Sequence, residues 1–197
     1  MTGGARTRTR DIARAAVRAE LGQVAFDLFR QQGFDRVTIN DIAAAAGVSR
    51  NTFLRYFGTK EDAVLGSFET RGGEVADAIR ARPVDESDWT AIRRSFDGVV
   101  EEYRADRESA LAVARLIRET PALRARVLDK QCSWRPLLAE ALAGRAGEAG
   151  SASLEMVVRA AAALDCLDVA VEEWAAQEGR PDLGDLLDRA FQALAAR

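Results

Sequence analysis

Apolar residues along this chain recur at spacings of three and four, and no stretch alternates in the period-two manner of a strand, so the pattern predicts helices throughout. Val17, Leu21, Val24, Ala25, Leu28 and Phe29 form one stripe on a helix from Asp11 to Gln32, which Gly33 stops. A fourth helix is expected from Thr59 to Arg82, with Gly72-Gly73 as a candidate hinge in its middle. Trp89, Ile92, Phe96, Val99, Val100 and Tyr103 share the face of a fifth, and Leu111, Ala114 and Ile117 mark a sixth over 107–118. Thr120-Pro121 opens a helix carrying Leu123, Val127, Leu128 and Trp134, in which Pro136 should introduce a kink before the end near Gly144. After the small-residue stretch GRAGEAGSAS come a long helix, Leu154 to Glu178, and a last one with Leu183, Leu186, Leu187, Ala190, Phe191 and Leu194 on one side. The expectation is an all-α chain of about nine helices.

The most informative stretch is Thr38 to Phe57, TINDIAAAAGVSRNTFLRYF, two short helices about a tight turn. Thr38 is a good N-cap, and Asp41 three residues on completes a capping box. Gly47 suits the left-handed backbone that ends the first helix, and Ser49 caps the second. Val48, Phe53 and Phe57 then point to the core, leaving Arg50, Asn51, Thr52, Arg55 and Tyr56 largely outward. Around this stretch Phe29, Phe34, Ile42, Val48 and Phe53 make a small three-helix core. Thr59 and Asp62 cap the next helix, where Lys60 sits awkwardly against the positive helix end and would be explained by contact with a phosphate.

Composition narrows the possibilities further. A chain of 197 residues with 48% hydrophobic content supports one large or two small packed domains. The net charge of −3 is unevenly spread: residues 1–70 hold ten Lys and Arg against eight Asp and Glu, the remainder eighteen against twenty-three. Basic character therefore gathers around the helix-turn-helix. Met1 to Arg10, with Arg6, Arg8 and Arg10 among Gly and Thr, reads as a basic arm able to follow a nucleic-acid backbone or enter a minor groove. No apolar run reaches about 18 residues and no signal-peptide core opens the chain, so a cytoplasmic protein without membrane spans is expected. The chain has no histidine, and Cys132 and Cys166 lie far apart, which excludes a His-based triad and the usual zinc patterns. Both cysteines are expected to be buried. No cofactor motif is present, and carboxylates such as Asp165 and Asp168 read as helix-face charges, so an enzyme is not expected.

Several spaced elements, VAFDLFRQQGF, TINDIAAAAGVS and TFLRYFGTKED, together resemble the tetracycline-repressor-like (TetR) family of bacterial transcriptional regulators over about Leu21 to Leu65. Beyond Leu65 only the all-helical layout is similar. The resemblance implies that Thr38 and Lys60 touch phosphates, that Ser49, Arg50, Asn51 and Arg55 lie nearest the major groove, and that Thr52 and Tyr56 hold the DNA backbone. The chain departs from the family pattern at Leu54, where an aromatic is frequent, at Asn51, where glycine is common, and at Gly58, where proline is common.

The expected organisation is a helix-turn-helix DNA-binding domain with its basic arm over 1–65 and a helical effector-binding and dimerisation domain over 66–197. The expected function is a homodimeric transcriptional regulator, a repressor released from a palindromic double-stranded operator by an apolar or amphipathic small molecule. The alternative is a helical ligand-binding or protein-interaction module without sequence-specific DNA binding. Phe96, Tyr103, Trp134 and Cys166 are candidate effector contacts, because aromatic and apolar side chains line such sites. The apolar faces of the last two helices suit a four-helix dimer interface.

Overall fold

The computed structural model describes residues 3–66, 68–147 and 152–195, and side chains from residue 12 onward. Its described residues form eleven helices and no strand. The chain divides into two compact units, Met1–Ser67 and Phe68–Arg197.

The first unit contains α1 (Gly3–Gln32), α2 (Ile39–Ala45), α3 (Arg50–Tyr56) and α4 (Lys60–Val64). Helix α1 starts eight residues before the Asp11 start that its apolar stripe suggests. The segment expected as an arm is thus helical from Gly3; the side chains of Arg6, Arg8 and Arg10 lie outside the described residues. An apolar stripe marks only the part of a helix that packs, so periodicity alone misplaces an end that carries none. Val17 is likewise 40% exposed instead of belonging to the core, and Phe26 is buried in its stead. The centre of the unit is aromatic: Phe29 and Phe34 meet at 4.8 Å between ring centroids, and Phe53 and Phe57 at 5.4 Å. Ile42 and Leu65 complete it, while Val48 is only half-buried.

The second unit contains α5 (Phe68–Arg80), α6 (Asp88–Ser95), α7 (Asp97–Ala105), α8 (Arg107–Glu119), α9 (Pro121–Arg145), α10 (Leu154–Ala176) and α11 (Leu183–Ala195). The count exceeds nine because two expected helices are each divided. The fourth ends at Val64 and resumes at Phe68, and the fifth bends at Phe96, whose near-zero ψ of −2° caps α6 and starts α7 while its ring is fully buried. Helix α9 lies along α5 and α10, and α10 along α11. Trp89 and Phe96 both pack on Phe191, and the Trp89 indole N–H donates to the Phe191 carbonyl at 3.2 Å. The Arg145 guanidinium donates to the carbonyls of Arg82, Pro83 and Glu86, tying the α5–α6 connection to the end of α9. Arg104 grips Asp182 through two 2.8 Å bonds and so fastens α7 to the start of α11.

Helix α9 runs through Pro136 and ends at Arg145, next to the expected end near Gly144. Two sequence expectations change here. Gly72 and Gly73 lie inside an unbroken α5 and are no hinge. A Cβ on Gly72 would stand 2.3 Å from Cδ1 of Trp134, so the missing side chain is what lets the indole lie against α5. Cys132 is exposed, and only Cys166 is buried, where burial first and the neighbouring Asp165 carboxylate second push its thiol up to about 11. Maleimide at neutral pH is therefore expected to label one thiol, Cys132, in the folded protein and both in denaturant. Labelling of Cys166 at a comparable rate in native conditions, read by peptide mass spectrometry, would contradict this placement.

Candidate functional site

The helix-turn-helix is held by its caps. The Thr38 hydroxyl accepts the Asp41 N–H at 3.3 Å, and Asp41 Oδ2 accepts both the Thr38 N–H at 2.9 Å and the Thr38 hydroxyl at 2.7 Å. The bonds from the Thr38 hydroxyl and N–H, in that order, hold the Asp41 carboxyl below its ordinary range. A lowered carboxylate pKa means that this contribution is present at neutral pH and fades as pH falls through the lowered value. At the turn Gly47 has φ 66°, and the Val48 N–H reaches back to the Ala43 carbonyl at 2.9 Å. Ser49 Oγ accepts the Thr52 N–H at 3.0 Å and shares a 2.9 Å hydroxyl bond with Thr52. Phe53 and Phe57 on the inner side of α3 fix its rotation.

With that rotation set, Arg50, Asn51 and Arg55 are exposed on one side of α3 with Thr38 and Ser49 exposed at its flanks, and Thr52 and Tyr56 are half-buried. Tyr56 and Arg55 border a surface groove with Ala13, Arg14 and Val17 of α1, which is where the displaced Val17 lies. Lys60 has a different local role from the one its position suggests. Its ammonium donates to the carbonyls of Phe34 at 2.8 Å and Val37 at 3.1 Å and lies 4.3 Å from the Phe34 ring centroid. Two of its three N–H groups thus tie down the connection between α1 and α2, which accounts for a lysine at a helix start without any anion.

The second unit holds a cavity of about 60 Å³, room for a few waters, between α5, α7, α8, α9 and α10. Tyr103 and Trp134 line it, whereas Phe96 and Cys166 do not. Phe96 is turned into the Phe191 cluster, and Cys166 stands two residues from Asp168 on α10, about 200° away around the helix and so on the other side. Apolar lining comes from Phe68, Val99, Val127 and Leu167, and polar lining from Arg71, Arg124, Gln131, Asp168 and Glu172. Asp168 is thus a half-buried wall residue and not a free helix-face charge. Burial, then the Glu172 carboxylate, raises its pKa against the opposing effect of Arg124 and a Gln131 hydrogen bond. Burial likewise raises Tyr103. Arg71, missed from the sequence because nothing local marks an arginine as buried, stacks on Phe68 and pairs with Glu102.

Among the described residues no group of three or more histidine, cysteine or acidic side chains could hold a metal, and no helix is long and apolar enough to cross a membrane.

A capped helix-turn-helix with an outward polar face, followed by an all-helical unit with an internal cavity, defines a helix-turn-helix transcriptional regulator. Residues 23–65 match the family model of bacterial regulatory proteins, tetR family, and residues 86–197 match the MftR C-terminal domain. The chain belongs to the TetR family of bacterial regulatory proteins. It is 30% identical over 136 residues to the HTH-type transcriptional regulator TcmR of Streptomyces glaucescens, covering 66% of this chain and 60% of that protein. It is also 30% identical over 130 residues to MftR of Mycobacterium tuberculosis, named for regulation of mycofactocin biosynthesis, covering 64% of each. The chain thus matches less than two thirds of either relative's length. Its fold is similar to that of Thermus thermophilus FadR, a TetR-family transcriptional repressor solved with lauroyl-CoA, with a TM-score of 0.59 at 23% identity over 90% of this chain and 93% of that one.

Proposed function

We propose that the chain is a homodimeric repressor that binds a palindromic operator and is released when a small amphipathic molecule occupies the cavity of the second unit. The observation that carries this reading is the outward face of α3, where Arg50, Asn51 and Arg55 stand exposed on a helix whose inner side is locked by Phe53 and Phe57. Arginine can fork onto guanine O6 and N7, and asparagine can pair with adenine N6 and N7. The hydroxyl of Thr52, the phenol of Tyr56 and the remaining N–H of Lys60 suit phosphate oxygens, as does the hydroxyl of Thr38 once its proton turns from Asp41 Oδ2, with Ser49 at the groove edge.

Support for the effector comes from the cavity and from a fold neighbour that carries an acyl-CoA. The cavity is narrow, so an occupant larger than a few waters must spread the helices around it. One of these is α5, which begins at Phe68, immediately after the first unit ends. A ligand favouring the spread arrangement shifts the equilibrium toward it by its difference in affinity for the two. Exposed Leu154 and Val158 at the start of α10, and Leu194 near the end of α11, offer apolar surface for a second copy.

Footprinting on the DNA flanking the protein's own gene tests the reading, with a protected palindrome expected. Arg50→Ala is expected to cost about 1–3 kcal/mol of operator affinity and to relax preference at one position in each half-site, measured by gel shift against single-base operator variants. A uniform loss across all sequences would reassign Arg50 to phosphate. Retardation indifferent to sequence would instead favour the ligand-binding or interaction module.

A further inference from the structure

We infer that the cavity receives a small amphipathic acid whose carboxylate accepts the Nε–H of Arg71 while its apolar body lies against Phe68, Val127 and Trp134. The inference rests on the effector-controlled reading above and assigns the chemistry of the effector.

The Arg71 side chain is 7% exposed, and the residue forms part of the cavity wall. Its guanidinium carbon lies 4.6 Å from the centroid of Phe68, another wall residue, and a terminal nitrogen pairs with the half-exposed Glu102. Stack and ion pair together fix the plane and rotation of the group. Its Nε is buried and has no hydrogen-bond partner in the protein. Folded proteins rarely leave a buried N–H of a charged group without an acceptor, since its lost hydration goes uncompensated. Arg71 belongs to the wall of the cavity, so an occupant that spreads the surrounding helices can bring an oxygen to this atom.

The character of the occupant follows from the rest of the wall. Most of it is apolar, so the ligand must carry a hydrophobic body. A charged donor makes its strongest bond to an anionic acceptor, and more so where water is scarce. Burial and Glu172 raise the Asp168 pKa, and the guanidinium groups of Arg118 and Arg124 stand in the same wall as these two carboxylates. Arg71, Phe68 and Trp134 are buried, whereas Arg124, Leu128 and Glu172 are substantially exposed and form the outer part of the lining. The acid therefore enters with its carboxylate inward and its chain toward Leu128. An acyl-CoA inserted tail-first would place a methyl group at Arg71 and leave Nε without an acceptor.

Octanoate, 1-octanol and octanoyl-CoA share one chain and differ in the head group, so calorimetric titration of the full-length protein with each tests the inference. Octanoate is expected to bind at least tenfold more tightly than 1-octanol and no more weakly than octanoyl-CoA. Arg71→Met should abolish the preference for octanoate, and Arg71→Lys, which keeps the charge but loses the Nε–H, should weaken octanoate about tenfold without weakening 1-octanol. Thermal melts show which variants are folded, and the comparison within the unmodified protein decides the matter should neither variant fold.

Absence of saturable octanoate binding, equal affinity for acid and alcohol, or full octanoate affinity in a folded Arg71→Met protein would overturn the inference. The gel shift separates this from the regulatory reading. Operator release by 1-octanol or octanoyl-CoA but not octanoate would overturn the assigned chemistry and leave effector control standing. Octanoate discrimination in a protein that shifts no DNA would do the reverse.

Discussion

Phe53→Ala is expected to abolish DNA binding while leaving the second unit folded. The Phe53 ring is fully buried between α2 and the aromatic cluster of the first unit. Removing such a ring from a core that cannot close around the gap costs about 3–5 kcal/mol. A unit the size of Met1–Ser67 has a total stability on the order of 3–10 kcal/mol, so the loss takes most or all of it. The chain offers a way to see this selectively. All three tryptophans, Trp89, Trp134 and Trp174, belong to the second unit. The variant should therefore lose part of its far-ultraviolet circular dichroism at 25 °C while its tryptophan emission maximum stays put. An emission shift in parallel with the lost helicity would mean that the two units do not fold independently.

The second large effect concerns neighbouring glycines with opposite expected outcomes. Gly72→Ala would put a methyl carbon 2.3 Å from Cδ1 and 2.5 Å from Cγ of Trp134, a rigid and buried ring that cannot swing aside as a flexible chain end could. Overpacking of this kind costs about 1–3 kcal/mol, more than the roughly 1 kcal/mol that alanine contributes over glycine in a helix. Gly73→Ala meets nothing within 4 Å on an exposed part of the same helix, and it should stabilise by about 0.5–1 kcal/mol. Urea denaturation followed by tryptophan emission measures both. Only the first should also alter the emission of the native state, because Trp134 must move. If both substitutions destabilised the protein equally, the glycines would be acting as a hinge and the indole seat would be wrong.

How far the primary structure carries the reading differs sharply between the units. In the first, the cues are local. Thr38 with Asp41, Gly47, Ser49 and Thr59 are each separated from their partners by a few residues, and their hydrogen bonds form as those spacings require. The rotation of α3 follows from Phe53 and Phe57 at i and i+4, so which residues face outward was legible as well. Lys60 shows where locality ends. Its position beside a helix start is visible in the chain, but its bonds go to carbonyls more than twenty residues earlier, and only the folded connection brings those within reach.

In the second unit the helices were legible and their facing was not. Aromatic residues at helical spacing announce burial but do not say against what: Phe96 went to a cluster around Phe191, while Tyr103, seven residues later, reached the cavity. Asp168 looked like an exposed charge because its neighbours on α10 are mixed, and its partial burial beside Arg124 and Gln131 of α9 is a property of another segment. Neither helix break carries a proline: the one between Val64 and Phe68 falls at Gly66, and the one at Phe96 falls at a residue whose ring is fully buried.

By itself the amino-acid sequence determined the all-helical class, the caps and turn of the reading head and the polar set on α3, because each depends on residues within a turn or two of one another. Only the tertiary structure decided that Gly72 seats Trp134, that Arg71 stands buried with an N–H to spare, and that Tyr103 and Trp134 share a cavity with Asp168. Those facts depend on which helices lie side by side, and periodicity within any one helix holds no record of its neighbours.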